Sequence, residues 1–245
     1  MDYVIGDVHG EVSKLKELFD VISYLEDDDP RFIFIGDYVD KGQDPYATLS
    51  FLSEIDNREE CLFIMGNHEY IWKQLPFEKR KYFDYLTKYG GQITAKSFGT
   101  FDLFEARTRM FQAFKGFFEK MIPFWECDEY VVTHSGIPMA YYDNDLPNVP
   151  INQLLFNRYE FLKNEKLFNG SKKVIFGHTA FYYPYVDNYK IGVDTGACYL
   201  ESQPLTAYCI QTSSFFNSFG VRTELSELSS SPTANIVRGK PWRKE

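Results

Sequence analysis

The chain has 245 residues, 44% of them hydrophobic and 18% aromatic, and a formal net charge of −9 at pH 7. This length and apolar content support one large packed core and exclude a disordered chain. The acidic balance, with no basic stripe, excludes a nucleic-acid partner, whose phosphates require clustered Lys and Arg, and no apolar run approaches the length of a membrane span.

The N-terminal "MDYVIGDVHG" reads as a first strand rather than a signal peptide. Val12, Leu15, Leu18, Phe19, Ile22 and Leu25 then recur at helical spacing. "RFIFI" predicts a second strand, and "DPYATLSFLSEI" a second helix with Asp44 as N-cap and Pro45 at its first position. "CLFIM" is a third strand ending at "GNHE". Residues 70–129 read as a helical, aromatic-rich insert whose stripe Phe111, Phe114, Phe118 and Met121 faces the core. Strands resume at "YVVTHSG" and "KVIFGHT", separated by a loop over 138–152 and a helix over about 153–167. "YKIGVDTG" and "PLTAYCI" read as a closing β-meander. One domain over 1–211 is expected, with 212–245 as a C-terminal tail whose Phe215, Phe216 and Phe219 pin its start to the body.

Cys61, Cys127, Cys198 and Cys209 form no CxxC pair and lie in or beside apolar runs. They read as small buried hydrophobes in a reducing compartment, which predicts a cytoplasmic protein and makes the sequon at Asn169 a chance match.

The four histidines of the chain, His9, His68, His134 and His178, each follow an apolar strand-like run, and Asp7 and Asp37 occupy equivalent places after "VIG" and "FIG". A single such histidine reads as a hydrogen-bonded residue near a strand end. Six side chains in these places read as a convergence on the ligand crevice at the strand C-termini of an α/β sheet. Carboxylate, imidazole and amide oxygen without thiolate suit manganese, iron or zinc. The set exceeds the needs of one catalytic ion and suits two ions about 3.5–4 Å apart with a shared carboxylate, for which Asp37 is the natural bridge. A hydroxide held between two such ions can attack phosphorus directly. Gly6, Gly36, Gly66 and Gly177 precede the ligands and read as residues that let the backbone turn.

The motifs "GDVHG", "GDYVDKG" and "GNHE", in this order, resemble the three linked signatures of the phosphoprotein phosphatase family of calcineurin-like metallophosphoesterases. "YGGQITAKSFG", "THSGIP", "LLFNR", "FGHT" and "VDTGACY…PLTAYCI" extend the likeness to small bacterial and phage-type members over roughly residues 1–210. The resemblance implies an α/β fold of two mixed β-sheets packed as a sandwich and flanked by helices, with a dimetal site at the strand ends. It implies Asp7, His9 and Asp37 on one ion and Asp37, Asn67, His134 and His178 on the other. It implies His68 as general acid supported by Asp40, and Lys41, Asn67 and Arg158 as phosphate-binding residues. Ser135 lacks any Ser–His–acid setting and is read as a bystander. Lys41 departs from the family pattern, which has arginine there. Lysine keeps the charge but not the planar fork that grips two oxygens.

The leading expectation is a metal-dependent phosphomonoesterase, with manganese the expected metal, acting on phosphoserine and phosphothreonine proteins. Symmetrical cleavage of dinucleoside tetraphosphates is the enzymatic alternative, and a pseudophosphatase that binds without turnover is the non-catalytic one. The expected partner is a phosphoprotein or small phosphoester, and the expected state a monomer or weak oligomer.

Overall fold

The computed structural model describes residues 1–25, 30–57, 60–228 and 237. The first half of the chain alternates strand and helix: β1 (Asp2–Ile5), α1 (Val12–Leu25), β2 (Arg31–Phe34), α2 (Pro45–Ile55) and β3 (Glu60–Phe63). Five helices follow: α3 (Asn67–Gln74), α4 (Lys79–Lys88), α5 (Gly91–Ser97), α6 (Leu103–Ala113) and α7 (Lys115–Glu119). The second half contributes β4 (Phe124–Glu126), β5 (Tyr130–Thr133), α8 (Tyr159–Leu162), β6 (Lys173–Phe176), β7 (Tyr185–Val186), β8 (Lys190–Gly192), β9 (Thr206–Cys209), β10 (Ser214–Asn217) and β11 (Arg222–Glu224).

Two mixed sheets result, one ordered β11-β10-β9-β1-β2-β3 and the other β4-β5-β6-β8-β7. In the first, β1, β2 and β3 run parallel and β9 returns antiparallel against β1. In the second, β5, β6 and β8 are parallel, with β4 and β7 antiparallel at the edges.

Period-2 alternation sorts the side chains into three cores. Phe215, Tyr208, Val4, Ile33 and Leu62 lie in register across the first sheet and meet Val132, Ile175 and Ile191 of the second, forming the layer between the sheets. The alternate row, Phe216, Ala207, Ile5, Phe34 and Phe63, faces the helices. Val131, Val174 and Phe176 cover the outer face of the second sheet together with Phe161, Phe168 and Tyr185. Both faces of each central strand are therefore dry, which is why these strands read as unbroken apolar runs.

Asp44 caps α2 as expected, its carboxylate accepting from Ala47 N at 2.9 Å, with Pro45 in the first turn. In the aromatic stripe, Phe118 is buried, and Phe111, Phe114 and Met121 are partly buried against the helical core.

Four sequence readings are corrected. The insert is not helical to its end, because Phe124–Glu126 pairs antiparallel with β5 as an edge strand. No helix spans 153–167. The 3₁₀ turn Ile151–Leu154 stops where Asn157 N donates to Ser135 Oγ (2.9 Å) and Asn157 Nδ2 to Gly136 O (3.1 Å), leaving α8 a single turn. Ser135, whose Oγ accepts the first of these bonds, is where that helix breaks. β8 and β9 are not a meander, since they belong to opposite sheets and residues 193–205 carry the chain across. The domain also continues past 211. β10 and β11 extend the first sheet because Phe215 and Phe216 bury on its two faces, whereas Phe219 is exposed. Of the expected tail, residues 229–236 and 238–245 lie outside the described residues.

The glycine reading divides. Gly36 does adopt a left-handed backbone, φ 106°. Gly6, Gly66 and Gly177 do not, and what they supply is room. A Cβ on Gly66 would lie 2.1 Å from Asp37 N, and one on Gly177 2.3 Å from Asp7 Oδ1.

Candidate metal centre

Apart from Arg158, the residues that the sequence singled out stand beyond strand C-termini: Asp7 and His9 after β1, Asp37, Asp40 and Lys41 after β2, Asn67 and His68 opening α3 after β3, His134 after β5 and His178 after β6. Of the whole set, Lys41 and Arg158 are partly exposed and the rest are buried. His9, Asp37, Asp40, Lys41 and His178 have φ between 44° and 69°. They make up five of the seven non-glycine residues with positive φ among the described residues. Such backbone persists only where its surroundings over-determine it.

At Asp37 Glu69 supplies that determination, and the sequence reading passed over it although it ends "GNHE". Its buried carboxylate accepts from four backbone N–H groups, those of Asp37 (2.9 Å), Tyr38 (2.8 Å), Val39 (3.2 Å) and Gly66 (3.2 Å). The third helical residue of α3 thus gathers the turn after β2 onto the turn after β3.

Asp37 occupies the middle and its two carboxylate oxygens face different partners. Oδ2 lies 3.2 Å from His9 Nε2 and 3.9 Å from His68 Nε2, while Oδ1 lies 3.4 Å from His134 Nε2. The tautomers follow from hydrogen bonding. His9 Nδ1 donates to Val39 O and His134 Nδ1 to Ile35 O, each at 2.8 Å, so each neutral ring turns a bare Nε2 toward Asp37. Asn67 Nδ2 donates to Tyr85 Oη at 3.0 Å, which aims Asn67 Oδ1 at His134 Nε2, 2.9 Å away. Lone pairs that converge without a proton between them are the signature of a cation site. Two groups have ligand atoms close enough for one ion each: His9, Asp37 and His68, and Asp37, His134 and His178. Asp37 is common to both.

Asp7 lies outside these two groups. Both of its oxygens accept from His178 N at 3.1 Å, tying the first sheet to the second. Burial raises its carboxyl well above the usual range, and the neighbouring Asp194 and Asp37 add to this. Asp194, in "VDTG", was not singled out; it is buried, and its carboxyl is likewise raised, chiefly by burial. Arg158 sits at the N-cap of α8, and its Nη1 donates to His178 O at 2.9 Å.

His68 Nδ1 donates to Asp40 Oδ2 at 2.6 Å, leaving Nε2 toward Asp37. Asp40 has further donors that the sequence did not announce: Trp72 Nε1 at 3.0 Å to Oδ1 and Thr94 Oγ1 at 2.5 Å, with Asp40 N donating back to Thr94 Oγ1 at 2.9 Å. Thr94 stands inside "YGGQITAKSFG", so its motif was visible and its task was not.

The sequence pattern of the calcineurin-like phosphoesterases matches residues 3–222. The chain belongs to this family. Over 97 residues it is 37% identical to the serine/threonine-protein phosphatase SIT4 of Candida albicans, a stretch covering 38% of this chain and 30% of that protein. It therefore spans about a third of that relative's length. It is 22% identical over 228 residues to PrpE of Oceanobacillus iheyensis, named an asymmetrical bis(5'-nucleosyl)-tetraphosphatase, covering 84% of this chain and 86% of that one. Among solved structures, a putative diadenosine tetraphosphatase shares the fold at TM-score 0.57 and 16% identity, over 88% of this chain and 91% of that one. The cold-active protein-tyrosine phosphatase of a Shewanella species does so at 0.61 and 15%, over 91% and 79%.

The donor set fits divalent ions. Burial lowers the pKa of His9, His134 and His178, which keeps the imidazoles neutral and able to ligate. Burial works to raise the Asp37 carboxyl, but whenever His134, His68 or His9 carries a proton that charge outweighs burial and holds the carboxyl well below the usual range. Lys41 Nζ reaches the centre, 2.7 Å from His9 Nε2 and 3.3 Å from Tyr199 Oη. Among the described residues, no helix is long and apolar enough to cross a membrane.

Proposed function

We propose that this phosphoesterase is a metal-dependent phosphomonoesterase acting on phosphoserine and phosphothreonine in proteins. The observation that carries the reading is the divided carboxylate of Asp37, one oxygen to each of two buried ligand groups. Asp7, His9 and Asp37 would hold one ion and Asp37, Asn67, His134 and His178 the other. The imidazoles favour manganese over magnesium, which prefers oxygen ligands. Two bound ions would supply Lewis-acid polarisation of the phosphoester and activate water.

The chain's own residues supply the rest. Lys41, in the turn after β2 with Nζ beside His9, and Arg158, at the N-cap of α8 with Nη1 on His178 O, would offer two cations to the oxygens of a phosphoryl group. His68, its Nδ1 held by Asp40, directs Nε2 inward and gives a proton to the departing serine or threonine oxygen, which is a poor leaving group without one.

A second reading, dinucleoside tetraphosphate hydrolysis, is favoured by the PrpE match, which runs nearly the full length of both chains where the SIT4 match does not. The test is kcat/KM of manganese-loaded protein on a phosphoserine peptide and on diadenosine tetraphosphate, with a chelated control. A higher value on the peptide supports the proposal, and a higher value on the dinucleotide transfers it to the second reading. Products then distinguish symmetrical cleavage, two ADP, from asymmetrical, ATP and AMP. Failure to hydrolyse even p-nitrophenyl phosphate would make the protein a binding module.

A further inference from the structure

Lysine in an arginine's place poses a physical problem. The arginine fork is planar and preorganised, whereas an ammonium on a four-carbon stem must be aimed by something else. In this chain the main chain of Lys41 is fixed, at φ 60° and against α5, where a Cβ on Gly90 would lie 2.4 Å from Lys41 N. The head group is fixed by side chains. Nζ contacts His9 Nε2, an atom that ligation would occupy, and on its other side it donates to Tyr199 Oη at 3.3 Å and lies 5.3 Å from the centre of the Tyr199 ring. Tyr199 is 39% exposed, so one edge of it faces solvent.

Tyr199 is in turn held by a device remote from any ligand. Lys14, buried on α1, directs its ammonium into the turn that carries Tyr199 and donates to Ala197 O (2.7 Å), Leu200 O (3.1 Å) and Gln203 O (2.8 Å). Gly196 starts that turn at φ 73°, its N–H on Asp194 Oδ1 at 2.8 Å, and Tyr199 N closes it onto Gly196 O at 2.9 Å.

We infer that Tyr199 is a positioning residue that substitutes for the missing arginine fork: its hydroxyl and ring aim the Lys41 ammonium at the phosphate, and Lys14 keeps its turn in place. The inference rests on the proposed phosphate role of Lys41.

The test is the affinity of the manganese-loaded full chain for inorganic phosphate, by calorimetry, which requires no turnover and so reads the inference even if the phosphopeptide is not a substrate. Tyr199→Ala should weaken phosphate binding about tenfold, the scale of a hydrogen bond to a charged group. Tyr199→Phe, which keeps the ring and the fold, should weaken it about threefold. In a Lys41→Ala background neither change should have a further effect. In a Lys41→Arg background Tyr199→Ala should bind phosphate within about twofold of wild type, because the guanidinium needs no aiming. Metal content and circular dichroism are checked alongside. Equal losses on Tyr199→Ala or Tyr199→Phe with and without Lys41, or no loss in either variant, would overturn the inference.

Discussion

Asp37 and Lys41 are four residues apart in one turn and are held in opposite ways. Around Asp37 what is gripped is main chain: its own N–H and those of Tyr38 and Val39 converge on the Glu69 carboxylate, His68 N donates to Asp37 Oδ1 at 3.0 Å, and Gly66 leaves no room for a side chain. Around the Lys41 head group the work is done by side chains, His9 and Tyr199. A grip on the main chain ties an atom to the fold itself, so a substitution that loosens it also costs stability. Side-chain scaffolding can be exchanged piece by piece. Lys41, where the resemblance of the motifs breaks, thus falls in the part of the turn held by side chains.

The sharpest break of this contrast is Asp37→Asn. An amide presents one oxygen and an N–H₂ donor, so it cannot serve both ligand groups. Both ions should be lost or reduced to one per chain, with turnover down at least about 10³-fold. Metal analysis beside kcat checks it, and a variant with two ions and wild-type turnover would show that Asp37 is not shared.

Next in size is His68→Ala. With Nδ1 taken by Asp40, the ring is assigned to proton transfer, and its removal should cost about 10²–10⁴-fold on a phosphoserine peptide and far less on p-nitrophenyl phosphate. The two ions should stay. Should metal content fall instead, His68 belongs to the ligand group that geometry allows with His9 and Asp37.

The division also governs what was legible in the sequence. His9, Asp37, Asn67, His134 and His178 announced themselves because each follows an apolar strand, and strand periodicity is written locally. Which sheet a strand joins is not local, so "YKIGVDTG" and "PLTAYCI" looked like neighbours though the sandwich separates them. The short 3₁₀ turn and the single-turn α8 were hidden for a like reason, since the bonds of Asn157 to Ser135 and Gly136 that end the helix span 22 and 21 residues. Glu69, Trp72, Thr94, Asp194 and Tyr199 carry ordinary side chains whose partners lie elsewhere in the chain. Of these, Glu69, Thr94, Asp194 and Tyr199 stood inside quoted motifs, which marked the place without the task.

A smaller effect is expected from Glu69→Gln, which tests the main-chain side of the contrast without touching a ligand. The amide keeps one acceptor oxygen for four N–H donors and turns its own N–H₂ at the others. The change should cost about 2 kcal/mol of stability, the range for buried donors left without a partner, and lower metal occupancy in step. Chemical denaturation measures it. A variant as stable as wild type would mean that the positive-φ turn after β2 is held by something other than Glu69.

The smallest expected effect is Thr94→Val, on the side-chain scaffold of Asp40. Valine matches threonine in shape, so packing in the buried site is kept and only the hydroxyl goes. With it go one donor to Asp40 Oδ1 and the acceptor for Asp40 N. Asp40 retains Trp72 Nε1 and the His68 ring, so the carboxylate stays in place but is less firmly aimed. The loss should be about 1 kcal/mol, roughly fivefold in kcat on a phosphoserine peptide. On p-nitrophenyl phosphate, whose leaving group needs no proton, kcat should be unchanged, because Asp40 acts there only through His68. Thr94→Ser, which restores the hydroxyl while losing a methyl group, should recover the peptide rate. A fall of equal size on both substrates would instead assign Thr94 to holding the turn after β2, and would move Asp40 from the side-chain half of the centre to the main-chain half.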